Sequence, residues 1–183
     1  MTAAATMGRP AQLAVHNWNG HWHGYGPWTG SPAAYHQEGN RRPAHPNGPP
    51  VPMSPEDKVA HRVLERYREG AAVFSGSDLP PLMTGHWLQK SGQASADRTW
   101  TNVIDAVEWL KKCYTDNPPF ERTDGLHAYV GVDVKVAYAY DVLPGGVDVT
   151  WVHYTPAKNL FSLSVVCCPN RFHPRLACPL PPS

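Results

Sequence analysis

The chain has 183 residues and a formal net charge of +1 at pH 7 with its ten histidines counted neutral. That length fits one domain, or one domain with a tail. A charge balance so near zero gives no broad electrostatic case for nucleic acid or an anionic membrane surface, and no apolar run is long enough to span a bilayer.

The first ten residues lack a basic stretch followed by an apolar one, so the sequence predicts no signal peptide and a cytoplasmic protein. Its four cysteines are accordingly expected as thiols rather than disulfides. The twenty prolines concentrate towards the two ends, which argues against regular structure there.

Residues 1–53 read as a distinct arm rich in proline, glycine, histidine and tryptophan, with no helix or long strand. Disordered tails are poor in tryptophan, so Trp18, Trp22, Tyr25 and Trp28 are expected to bury against a surface, either their own domain or a partner. A first helix is signalled by Ser54-Pro55-Glu56-Asp57, with Val59, Ala60, Val63, Leu64 and Tyr67 as its apolar stripe and Gly70 as its end. Ala71 to Phe74 reads as a short strand, and Leu82 to Lys90 as a further strand holding His86 and Trp87. A second helix spans about Thr99 to Tyr114, capped by Asp97 or Thr99, and Asn117-Pro118-Pro119 stops it.

The most regular pattern runs from His127 to Cys168. Ala128, Val130, Val132, Val134, Val136, Tyr138 and Tyr140 alternate with more polar residues over His127 to Asp141, the period of a half-buried strand. Pro144-Gly145 then reads as a hairpin turn into a second strand with Val147, Val149, Trp151 and His153 inward. Thr155 to Asn159 turns into a third strand with Phe161, Leu163, Val165 and Cys167 inward, Asn159 taking the left-handed position. The expected fold is therefore α+β: two helices packed on an antiparallel β-meander of three or more strands. The body is 54–168, between an extended irregular N-terminal arm and a Pro-rich C-terminal tail, 169–183.

Three sets of residues could carry chemistry. His153, placed among apolar side chains near the sheet's end, could act as a general base with His127, Lys158 and His173. Two histidines and a cation suit phosphodiester cleavage, and helices before a meander resemble the arrangement of small ribonuclease toxins. His16, His21 and His23 form a candidate copper or zinc set, since residues two apart on a strand project to one side. His21-Trp-His-Gly24 resembles a copper-ligand motif of multicopper oxidases over those four residues, and none of that family's further motifs follows downstream. Cys168, His173 and Cys178 form a second candidate set. Their spacing resembles the later part of a zinc knuckle, but the adjacent Cys167 points to the opposite face and belongs to the core.

No hydrolase elbow, phosphate-binding loop, dinucleotide fingerprint, zinc-protease helix or deaminase signature occurs. The leading expectation is a binding or assembly protein, with the aromatic arm packed on its own domain, a protein partner or a second copy. The alternatives are a small histidine-dependent enzyme with a pocket near His153 and a protein that binds zinc or copper.

Overall fold

The computed structural model describes residues 18–44, 51–124, 126 and 129–182. Its centre is a four-stranded antiparallel sheet. The strands are β1 (His21–Gly30), β2 (Thr99–Trp100), β3 (Val149–Tyr154) and β4 (Leu160–Cys168), in the spatial order β2-β1-β4-β3. The helices are α1 (Pro32–Tyr35), α2 (Lys58–Gly76), α3 (Val103–Asp116) and α4 (Val132–Val142), and none is long and apolar enough to cross a membrane. The class is α+β.

β4 is buried along its whole length because both sheet faces are covered. On one face Phe161, Leu163, Val165 and Cys167 join Trp22, Val149 and Trp151 beneath α3 and α4, which contribute Val107, Leu110 and Ala139, with Leu143 from the turn after α4. On the other face Tyr25, Val166 and Cys168 meet Trp87 and Leu88 of a 3-10 turn, Thr84–Gln89, with Leu176 and Cys178 of the tail. The predicted β3–β4 hairpin forms, with Val149 opposite Val165 and Trp151 opposite Leu163. Its turn places Lys158 rather than Asn159 in the left-handed region, at φ 61°. Lys158 N–H donates to Thr155 O, and Thr155 N–H closes the loop onto Asn159 O.

The expected strand over His127–Asp141 is instead α4 from Val132 onward. The same residues carry two periods at once. Val132, Val136, Ala139, Tyr140 and Leu143 recur at helical spacing and pack into the core, whereas Val134 and Tyr138 face solvent. A strand so long would also outrun its partner, the six-residue β3, and leave its backbone unpaired. Pro144-Gly145 accordingly ends a helix and makes no hairpin. Gly146 takes φ 76° and donates its N–H to Leu143 O, and Val147 N–H reaches Val142 O.

No strand takes the place beside β3, which is an edge of the sheet among the described residues; the further strand comes from the aromatic segment, on the other side of β4. β1 is a central strand and not an irregular stretch: it pairs with β2 on one side and β4 on the other. Its glycines conceal it in the sequence. Gly24 lies beneath the Trp100 and Trp109 rings, where a side chain would collide, and the register shifts between Tyr25 and Trp28. α2 starts three residues beyond the predicted Pro55, with Asp57 Oδ1 accepting the Ala60 N–H. It runs through Gly70 and absorbs Ala71 to Phe74, because α-helical bonding continues unbroken to Gly76. Asn102 caps α3 through the Ile104 N–H. The stretch Leu82 to Lys90 contains the 3-10 turn Thr84–Gln89 rather than a strand, and Lys90 N–H closes it by bonding back to Trp87 O.

Candidate metal centre

The β1–β4 register puts His21 directly across from Cys168 and His23 across from Val166. Alternation sends His21, His23 and Cys168 to the sheet face away from α3 and α4. The chain turns after β4 and brings Cys178 back over that face, beside Leu176. One ligand atom from each of His21, His23, Cys168 and Cys178 lies within 4.8 Å of all the others. His21 Nε2 is 3.0 Å from His23 Nε2 and 3.2 Å from Cys178 Sγ, which in turn is 3.4 Å from His23 Nε2. Zinc bonds of about 2.0 Å to nitrogen and 2.3 Å to sulfur put tetrahedral ligand atoms about 3.3–3.8 Å apart. The His21, His23 and Cys178 atoms are already spaced for such an ion, and the widest separation, at most 4.8 Å, needs to close by no more than about 1 Å.

Neighbouring groups prepare the ligands. The Thr99 hydroxyl donates to Ser95 O at 2.9 Å, so its oxygen is left to accept from His23 Nδ1, also at 2.9 Å. That bond keeps the proton on Nδ1 and leaves the Nε2 lone pair facing the cluster. Burial, reinforced by His21, pushes the His23 imidazole down to about 4, so the ring is neutral at physiological pH. Burial also lowers His21. Without a cation, burial, then the hydrogen bond with Cys178, pushes the Cys168 thiol up to about 12. A bound divalent ion reverses that balance, because thiolate is the ligating form. His23 and Cys168 are buried and His21 and Cys178 half-buried, which closes the site on the sheet side. Four protein ligands leave no open position for substrate.

Two candidate sets thus contribute to one cluster. His21 and His23 come from the first, Cys168 and Cys178 from the second. His16 lies outside the described residues. His173 stands apart, its ring 4.6 Å from that of His86. Cys167 points into the core, where burial raises its thiol well above the ordinary range.

The other candidates are dispersed. His153 lies under α3, stacked on Phe161 at 4.8 Å, with Nε2 donating to Asn117 O at 2.7 Å. Its Nδ1 is buried without a partner among the described residues. Lys158 lines the same small hollow, about 260 Å³, whereas His173 is on the opposite side of the sheet and His127 lies outside the described residues. The aromatic residues pack into this chain's own body. Trp22 donates to Leu143 O and Trp18 to Pro169 O, each at 3.2 Å, Tyr25 stacks on Trp87, and Trp28 meets Tyr35. Sequence reading missed Thr99 as a partner of His23, since only the β1–β2 pairing brings the two together.

No protein-family model matches the chain, and neither the curated proteins nor the solved structures offer a match.

Proposed function

We propose that the chain is a zinc-binding protein in which His21, His23, Cys168 and Cys178 hold one ion and thereby fasten the C-terminal tail to the central strand. The observation that carries this reading is the convergence of two imidazoles and two thiols within 4.8 Å from three separated parts of the chain. A tetrahedral nitrogen–sulfur set favours zinc over copper(II), which prefers tetragonal nitrogen and oxygen surroundings. With every position filled by protein, the ion's role is structural: it joins a sheet face to a tail that contains little regular structure. Thiol ligation suits a reducing compartment, consistent with a cytoplasmic protein.

Elemental analysis of protein purified without an affinity tag tests this. Zinc is expected at about one per chain, falling severalfold in Cys178→Ser and His21→Ala. Wild-type protein that stays metal-free after zinc exposure, or whose Cys168 and Cys178 are recovered as a disulfide, overturns the reading.

A further inference from the structure

A second cluster of titratable groups lies beyond the metal ligands, in a cleft of about 670 Å³ between the 3-10 turn and the tail. His86 and Gln89 come from the turn, His173 and Arg175 from the tail, and Arg42 from the segment after β1. Among the described residues no carboxylate lines the cleft, and its ionisable groups are these four bases and Tyr67. Leu82, Phe172 and Leu176 provide apolar wall between them.

Buried contacts hold the two histidines in place. Asn170 is buried, and its Oδ1 accepts the N–H groups of Phe172 and His173 at 3.0 and 2.9 Å. Its amide is anchored in turn by Asp148, at 2.9 and 3.0 Å from the two carboxylate oxygens. On the opposite wall, Trp87 stacks on Tyr25 and donates to Ser164 Oγ, which fixes the turn that carries His86. Gly85 permits the close approach, since a Cβ there would stand 2.5 Å from the His173 ring. His86 Nδ1 is buried without a partner among the described residues. A bare nitrogen is cheaper to bury unpaired than an N–H, so the ring proton belongs on Nε2 as a donor. Burial, and then the neighbouring His173, lowers the His86 pKa and keeps that ring neutral. Arg42 is already paired with Glu38 at 2.8 Å, whereas Arg175 makes no ion pair among the described residues.

We propose that this cleft binds a small organic phosphate, with Arg175 and the two histidines on the phosphate group and the apolar wall against its carbon body. Charge complementarity selects an anion. Its donors enter from two facing walls, His86 from the turn and His173 and Arg175 from the tail, which suits the several directions of phosphate oxygens better than a planar carboxylate that one guanidinium can satisfy. The histidine rings lie too close together to stand on opposite sides of one phosphorus atom, so the assignment is of binding and not of phosphoryl transfer. The cleft and the metal cluster share no side chain.

Calorimetric titration of the full chain with phenyl phosphate, benzoate and inorganic phosphate tests the assignment. Saturable binding of phenyl phosphate is expected, weakened at least about tenfold in Arg175→Gln and in His173→Ala, with benzoate at least about tenfold weaker on wild type. Inorganic phosphate, lacking the carbon body, is expected to bind more weakly than phenyl phosphate. Should a variant fail to fold, the His86 and His173 ring resonances of wild-type protein are expected to shift saturably with phenyl phosphate. Absence of saturation up to about 10 mM, equal affinity for benzoate, an Arg175→Gln variant that binds like wild type, or ring resonances that stay fixed would each overturn it.

Discussion

His21 and Cys168 are direct partners in the β1–β4 register, so the pairing of two strands also brings together three of the four candidate ligands, His21, His23 and Cys168. Of these, His23 depends on Thr99 for the orientation of its lone pair. Thr99→Val keeps the side-chain shape and removes that oxygen. Zinc affinity is expected to fall about 10–100-fold, read by competition with a chromophoric chelator, with the fold retained. Unchanged affinity would show that the Thr99 bond does not prepare the ligand.

The Asp148–Asn170 pair stabilises the start of the tail. Asp148 Oδ1 also accepts the Cys167 N–H at 2.9 Å, so the carboxylate joins β4 to the loop that follows it. Asn170→Ala leaves the carboxylate short of partners and releases the two N–H groups it capped. A loss of about 2–3 kcal/mol is expected by denaturant titration, large for a single polar side chain.

Helix α4 makes opposite demands on two residues that a strand would place the other way round. As a strand, Val134 would face the core and Ala139 the solvent. In the structure Val134 is 63% exposed and Ala139 fully buried. Val134→Lys is expected to change stability by no more than about 0.5 kcal/mol, whereas Ala139→Lys should cost more than about 3 kcal/mol or prevent folding. Thermal denaturation of the two variants distinguishes the arrangements.

The same residues show how far the sequence could be read. The β3–β4 hairpin and α3 were legible because their patterns fit one period and their turns agree with it. Val132 to Tyr140 fit two periods, and the choice was made by docking on α3 and the sheet, which a local pattern does not contain. β1 was hidden for the converse reason: Gly24, Gly26 and Pro27 argue against a strand, yet the Trp100 and Trp109 rings fill the space beside Gly24, and Gly26, at φ 90°, lies against the β4 backbone. The metal candidates were visible as types of residue. Their grouping was not, because joining the two sets requires the β1–β4 register.

Lys90 supplies a pH dependence of known sign. Its buried amine donates to Phe74 O and Ser77 O at the end of α2. Burial, partly opposed by Asp78, lowers its pKa to about 8. The unfolded chain keeps that proton up to about 10.4, so between the two values it binds more protons than the folded chain. This group therefore makes stability rise with pH from about 8 to about 10, without contributing a slope below 8. Denaturant titrations across that range should show the rise in wild type and a smaller one in Lys90→Met.

The sheet's strand order bears on how the chain is made. β3 and β4 are near neighbours in sequence, but β1 pairs with β4, and His21 meets Cys178 across 157 positions. A ribosome releases β1 long before β4, so the glycine- and tryptophan-rich segment must wait through that interval before its longer ladder forms, with only the two-residue β2 to pair its other edge. The emerging chain holds its most aromatic stretch without its native cover for that interval, which makes translation the stage at which this protein most needs shielding from its neighbours.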